Sequence, residues 1–559
     1  MAAETTHSTL IRRAYITLGG RQVHVRHAGC GDPVVLIHQS PTSARTLDAQ
    51  TEGFARAGFH AIAIDIPGLG RSDPIGLPQP EIADLAAGLG AFLDAIGIVR
   101  TALYGSHTGA LICVAFAVRH PERVSAVLID GYPVYTPDER DRRVATYFPP
   151  YAERWDGTHL VWLWSRYREQ YLFWPWNVPG ASTQARCDVP DPVFLHEGVI
   201  DMLRAGNAYR MPYSAAFRCI SDALLREVRV PTYFLAYPDD SLTQALALLE
   251  PLPASCRVEP MPAERAAGVT HEIDLLRRHA PGRASPSLQT LACASGITRD
   301  YVTVGARQLA VRRCGSDSAR TLVVIPPVPG SGSMLTAELE ILGRSHRVIA
   351  IDAPGSGDSD AWPSMDPAPA AKAIGEALDI MGVGQFDLYA LHGGCAPAIE
   401  LAIARAASIG RVVLESPAGG YPTTSAFLDQ YAPAILPRWS GSHLLELWHA
   451  TRNRRLFRPW FDERLAVRHT YFAAIEPDTI NREVLACLES WRTYRAAWAA
   501  VLAYPIAPAL ARLGNKVTVA SRREDEFAPF VERLGRSIEW LADAVTPRTQ
   551  HILACLARA

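Results

Sequence analysis

The chain has 559 residues, too many for one ordinary hydrophobic core, so two or more domains are expected. Its 55 Lys and Arg nearly balance 57 Asp and Glu, for a net charge of −2, which excludes the broad basic field that nucleic acid or an anionic membrane requires. A composition of 48% hydrophobic and 20% charged residues is that of a globular protein, and its ten cysteines lack the CxxC spacing of a metal or redox site.

The opening MAAETTHSTLIRR has no long apolar core, and no later stretch approaches the length of a membrane span. A cytoplasmic location without membrane or nucleic-acid partners is therefore expected. PVVLIHQSP (33–41) is a short apolar run closed by Pro and reads as a buried strand and turn. HAIAIDIPG (60–68), TALYGSH (101–107), VSAVLIDGYP (124–133) and VPTYFLAYPDD (230–240) read the same way. Helical stretches such as EIADLAAGLGAFLDAIG (81–97) lie between them. Continuous apolar strands alternating with helices imply an α/β fold, a mostly parallel sheet covered on both faces. Residues 134–228, rich in Trp, Tyr and Arg and helical in pattern, interrupt the rhythm and read as a cap.

After a Pro-, Ser-, Ala- and Gly-rich linker (279–296), the chain repeats itself. AYITLGGRQVHVR (14–26) returns as DYVTVGARQLAVR (300–312), and HAIAIDIPGLGRSD (60–73) as HRVIAIDAPGSGDSD (346–360). LYGSHTGA (103–110) returns as LYALHGGC (388–395), and GTHLVWLWSRYREQYLFWPW (157–176) as GSHLLELWHATRNRRLFRPW (441–460). The displacement is 285 at the first His pair and 284 at the last Trp, so the period is a duplicated domain. The expected halves are 1–288 and 289–559, packed on each other, with caps at about 134–228 and 423–512.

LYGSHTGALICVAFA (103–117) joins strand formers to an apolar helix through a Gly-x-His-x-Gly turn. With LIHQSP before it and DIPGLGRSD between, this ordered set resembles the α/β-hydrolase superfamily over nearly the whole chain. The resemblance implies two α/β-hydrolase-like domains, each with a cap, and a strained elbow that presents its middle residue above the sheet. That residue is His107 in the first half and His392 in the second, where the family usually has Ser, Asp or Cys. The resemblance further implies an oxyanion hole from the Ser40 and Thr108 amides, flanked by His38 and Gln39. It implies an acid at Asp240 or, alternatively, Asp130, and the family histidine at His271 in the loop ERAAGVTHEID. Ser106, one residue before the elbow tip, is set aside as nucleophile because Leu391 matches it.

Three roles for His107 stay open: base or nucleophile, ligand contact in a non-catalytic pocket, or metal ligand with His38 and His271. Imidazole titrates near neutrality and takes protons without further activation. Both halves share the histidine, which favours use over loss. No metal site and no cofactor are expected. In the second half Asp525, Glu415 and Val328 match Asp240, Asp130 and Ser40, while Pro326 and Pro327 replace His38 and Gln39 and no His matches His271, so this half is expected to be degenerate. Tyr132 and Trp164 are candidate substrate contacts, and Arg168 and Arg452 candidate carboxylate holders. The extra arginines of RNRR (452–455) read as surface solvation. The expected function is cleavage of an ester, lactone or C–C bond in a small, largely apolar carbonyl compound. A lyase using His107 as proton-abstracting base, or a ligand-binding pseudo-hydrolase, is the alternative.

Overall fold

The computed structural model describes residues 10–558 except 186, 239, 241, 281, 283–287, 289–295 and 469–474. The chain divides into two compact units, Met1–Ala152 with Trp162–Ala292, and Glu153–Val161 with Cys293–Ala559.

In the first unit the apolar runs become β1 (Arg12–Leu18), β2 (Arg21–Ala28), β3 (Asp32–Ile37), β4 (Phe59–Ile64), β5 (Thr101–Ser106), β6 (Val124–Asp130), β7 (Thr232–Ala236) and β8 (Cys256–Pro260). They form one sheet in the order β1-β2-β4-β3-β5-β6-β7-β8. β1, β2 and β4 pair antiparallel, and every pair from β4 to β8 is parallel. All residues of β4, β5 and β6 are buried, as parallel strands covered on both faces must be. One face carries a core of Val34, Leu36, Phe54, Tyr104, Leu128 and Leu275.

The second unit contains β9 (Thr298–Val304), β10 (Arg307–Cys314), β11 (Thr321–Ile325), β12 (Arg347–Ile351), β13 (Phe386–Leu391), β14 (Ile409–Glu415), β15 (Val517–Ser521) and β16 (Ile538–Trp540). Its sheet order, β9-β10-β12-β11-β13-β14-β15-β16, is the first unit's order again.

Between the sixth and seventh strand of each sheet lies the helical excursion expected as a cap. It opens in the first unit with helix Pro137–Thr146, which Thr136 caps by accepting the Glu139 N–H while Glu139 returns to the Thr136 N–H. The repeated aromatic pattern is largely structural. Trp176 Nε1 donates to the Tyr147 carbonyl at 3.3 Å and Trp460 Nε1 to the Tyr431 carbonyl at 2.8 Å. Phe173 and Phe457 each form an isolated bridge, to Gln184 and Arg468. His159 and His443 each accept, through Nδ1 at 3.2 Å, the N–H of the arginine five residues earlier. The paired arginines bond to their sequence neighbours: Arg168 meets Glu169 at 2.9 Å, and Arg452 meets the Asn453 side chain at 2.9 Å.

No helix among the described residues is long and apolar enough to cross a membrane.

Candidate active site

Each sheet presents a histidine at the turn from its fifth strand into the following helix. His107 has φ 48° and His392 φ 46°, a conformation that non-glycine residues adopt at a cost of about 1–3 kcal/mol and that clusters at functional sites. The helix after each turn packs tightly against the end of the adjacent strand, β3 or β11, and only glycine leaves room for it. A Cβ on Gly109 would lie 2.1 Å from the Ile37 carbonyl oxygen, and one on Gly394 2.2 Å from that of Pro326. Helix Thr108–Arg119 starts at Thr108, whose backbone N–H no carbonyl of the helix can satisfy.

The imidazoles face a carboxylate directly. His392 Nε2 lies 2.8 Å from Asp525 Oδ2, and His107 Nε2 lies 3.6 Å from Asp240 Oδ1. In both pairs the imidazole is 30% exposed and the carboxylate nearly buried. Burial opposes protonation of each ring, but the carboxylate outweighs it and holds both imidazoles above their ordinary pKa. Reciprocally, burial pushes Asp240 and Asp525 up, and the facing imidazole overcomes that and holds both below the usual carboxylate range. Gly131 makes room for the first pair: a Cβ there would lie 2.4 Å from His107 Cδ2 and 2.5 Å from Asp240 Oδ2.

Behind each pair sits a second, occupied carboxylate. Asp130 accepts from Tyr104 Oη at 3.0 Å and from Arg265 Nη1 at 3.1 Å. Glu415 accepts from Tyr389 Oη and faces Arg522 Nε at 3.7 Å and Arg548 Nε at 3.9 Å. The choice between Asp240 and Asp130 as the imidazole's partner therefore falls to Asp240. Tyr104 and Tyr389 stand in the repeated LY of LYGSH and LYALH, a signal available in the sequence; Arg265 and Gly131 had none.

Several expected site residues lie elsewhere. His271 is inside helix Arg265–Arg277 and not in a loop, and its Nε2 faces Glu259 at 3.5 Å. Its position on that helix turns it toward β8, and the imidazole that meets Asp240 is the elbow histidine itself. His38 is fully buried: Nε2 accepts the Ile66 N–H at 3.0 Å and Nδ1 lies 2.7 Å from the Gln39 carbonyl, so it joins two loops as a neutral ring. Burial lowers its pKa accordingly. The histidines proposed to share a metal thus have three separate sets of partners. The Tyr132 hydroxyl is spent on the Ser221 carbonyl at 2.8 Å, and Trp164 is buried in its helix. Ser40 and Val328 are buried, and Gln39 is half-buried, its carbonyl accepting the Thr42 hydroxyl at 2.7 Å. Among the described residues Glu539, His551 and Cys555 bring potential ligand atoms within 4.8 Å of one another, but Glu539 is already held by Arg558 and by His551.

The half expected to be degenerate carries the tighter pair and a large cavity. A space of about 900 Å³ in the second unit is lined by His392, Asp525, Val328, Leu391, Trp498 and Phe527, among others. Loss of His38 and Gln39 leaves the His–Asp pair intact because those residues brace loops elsewhere.

Residues 32–188 match the family model described as alpha/beta hydrolase fold. Both units have that architecture. A 143-residue stretch is 34% identical to the 2-hydroxy-6-oxononadienedioate/2-hydroxy-6-oxononatrienedioate hydrolase of Paraburkholderia phymatum, covering 23% of this chain and 48% of that protein. Over 132 residues the chain is 26% identical to the 2-hydroxy-6-oxo-6-phenylhexa-2,4-dienoate hydrolase of Burkholderia cepacia, covering 23% of this chain and 46% of that protein. The matched part spans about half the length of these curated relatives. Among solved structures, epoxide hydrolase A from Mycobacterium thermoresistibile aligns at 20% identity and TM-score 0.38, over 50% of this chain and all of that one.

Proposed function

We propose that this chain is a duplicated hydrolase-fold enzyme that cleaves a bond beside a carbonyl in a small, largely apolar compound, using the elbow histidine as general base. The observation that carries this reading is the His–Asp pair at each elbow, closest at His392–Asp525. A carboxylate below its usual range can only accept, so Nε2 carries the proton and the Nδ1 lone pair is left for chemistry. The imidazole takes a proton from water, and the hydroxide adds to the substrate carbonyl. The amides of Ser40 and Thr108, or of Val328 and Gly393, would hold the oxyanion. Collapse expels the leaving group, which takes the proton back from the imidazolium. The relatives whose names describe hydrolases of 2-hydroxy-6-oxo dienoates support a carbonyl-bearing substrate and C–C cleavage alongside ester or lactone hydrolysis.

The same pair also suits direct removal of a substrate proton, as in a lyase, because no hydroxyl, thiol or carboxylate stands at the elbow tip. Turnover in isotopically labelled water separates the two: hydrolysis places solvent oxygen in the product, and elimination does not. His107→Ala, His392→Ala and the double variant are assayed on aryl esters, lactones and vinylogous 1,5-diketones. Loss of about 10²–10⁴ in rate is expected when the working histidine is removed. Full-rate turnover by the double variant refutes the role of the imidazole, and a wild-type protein that turns over none of these compounds favours a binding protein.

A further inference from the structure

The cavity of the second unit contains a cation that the base chemistry does not use. The arginines of RNRR do not simply solvate a surface. Arg455 pairs with Glu483 at 2.6 Å, whereas Arg454 lines the cavity with its guanidinium 4.8 Å from the Tyr431 ring and 4.6 Å from the Trp498 ring. Arg454 forms no ion pair with a described carboxylate. Its hydrogen bonds run from Nη2 to two neutral oxygens, the Tyr431 carbonyl and the Tyr494 hydroxyl, both at 3.3 Å, and its buried Nε has no partner. The neighbouring Glu526 accepts from the Tyr431 hydroxyl, and its other oxygen is buried and unpartnered. Burial pushes that carboxyl up toward its neutral form against the attraction of the nearby Arg454 guanidinium, with which it forms no ion pair. The buried carboxylates of the lining are matched, Asp525 by His392 and Arg522, Glu415 by Arg522 and Arg548, and Glu338 by Arg548, while the more exposed Glu340, Glu524 and Asp543 also line the cavity.

The first unit contains the same device built from a different residue. Arg166 is 1% exposed, lies 5.1 Å from the Tyr147 ring and 4.3 Å from the Trp176 ring, and leaves Nε and Nη2 without partners. Tyr147 and Tyr431 occupy matching positions of the two halves, but Arg166 aligns with Ala450, one helical turn before Arg454. The guanidinium over that tyrosine is thus present in both halves although its place in the sequence has moved. A buried guanidinium without a counter-charge is costly unless something supplies one.

We propose that the cavity of the second unit is an organic-acid site in which Arg454 pairs with the single carboxylate of a ligand whose apolar body rests on Trp498 and Phe527. One cation without an ion-pair partner among several acids suits a monoanion better than a phosphate dianion. The proposal rests on the base reading only for which end of the ligand reacts.

Binding of 3-phenylpropionate, phenylacetate and benzoate to the full chain, followed by calorimetry and by Trp fluorescence, tests it against 3-phenylpropanamide and phenyl phosphate. At least one acid is expected to bind in a saturable way, at least tenfold more tightly than the amide and than phenyl phosphate. Arg454→Gln abolishes that preference and Arg454→Lys partly restores it. His392→Ala keeps acid binding while losing turnover, so failure of the base reading leaves this result standing. Equal affinity for acid and amide in the wild-type chain overturns the proposal. So do tighter binding of phenyl phosphate, the absence of saturable acid binding up to solubility, and an acid preference retained by a folded Arg454→Gln chain.

Discussion

Gly131→Ala tests how the first His–Asp pair is assembled. Gly131 has φ +75°, and a Cβ there meets both members of the pair, at 2.4 Å from His107 Cδ2 and 2.5 Å from Asp240 Oδ2. Ordinary contact begins near 3.4 Å, so the imidazole and the carboxylate must each retreat by about 1 Å, in a pair already 3.6 Å apart. The left-handed backbone adds roughly 1–2 kcal/mol for any L side chain. At about 2–4 °C per kcal/mol for a domain of this size, the backbone term alone lowers the melting temperature of the unit by roughly 2–8 °C. Separation from Asp240 also lowers the His107 pKa, which an NMR titration of the imidazole reads without any substrate. Where this unit turns over substrate, a displacement of about 1 Å is expected to reduce the rate on the order of a hundredfold. An alanine variant with unchanged melting temperature and an unchanged His107 titration would refute the assignment of Gly131 as the residue that lets the pair form. Ser416, the matching residue of the second unit, has φ 47° and faces Ser521 Oγ at 3.1 Å, so Ser416→Gly is expected to relieve backbone strain without moving His392.

Because a base must be unprotonated and Asp525 holds His392 above its ordinary pKa, kcat/KM is expected to rise with pH through a limb above about 6.5, the unperturbed imidazole value. Asp525→Asn moves that limb to lower pH as it lowers the rate, and an unmoved limb would detach the activity from this pair. The same linkage acts on stability. The His392–Asp525 contribution is fully present below the unfolded imidazole pKa and is lost as pH rises through the folded one, so denaturant unfolding of Asp525→Asn should differ most from wild type at the acid end of the imidazole range. Glu272 is fully buried, accepts from Tyr237 Oη at 2.8 Å and is pushed by burial up to about 8. Its folded state therefore binds the proton more strongly, and stability is lost as pH rises from the unfolded carboxyl pKa toward 8. Glu272→Gln is expected to gain up to about 3–5 kcal/mol over wild type above that pH and little below pH ~4, a difference that urea unfolding at the two extremes measures. His38→Ala leaves the Ile66 N–H without its acceptor in a closed interior and is expected to cost about 1–3 kcal/mol beyond the cavity term, with the His107 titration unmoved; a shift in that titration would place His38 in the site after all.

The features legible in the sequence are those that local pattern controls. Apolar runs at strand length predicted both parallel sheets, because a strand buried on both faces needs no partner information to read as apolar. The Gly-x-His-x-Gly turn marked His107 as an elbow tip and the aligned Ala-Leu-His-Gly-Gly marked His392, the glycine two residues later in each being what tolerates the approach of the chain at the end of β3 or β11. The repeat aligned Asp240 with Asp525 and Asp130 with Glu415 before any geometry was available. Partner choice depends on where helices and loops finally pack, and there the local pattern carries no signal. ERAAGVTHEID reads as a loop but folds as a helix, which turns His271 onto Glu259 and leaves Asp240 to the elbow imidazole. His38 stands in a motif that suggests an anion site, yet the neighbouring Ile66 N–H claims its ring. Arg454, written inside a run of arginines that pattern assigns to solvent, is drawn between two rings contributed by residues 23 positions before and 44 positions after it. The sequence alone determined two copies of a sheet with a histidine at each elbow. Only the tertiary structure decided which carboxylate each histidine meets and which charges are left unmatched, because both are settled by contacts between distant segments that no local window contains.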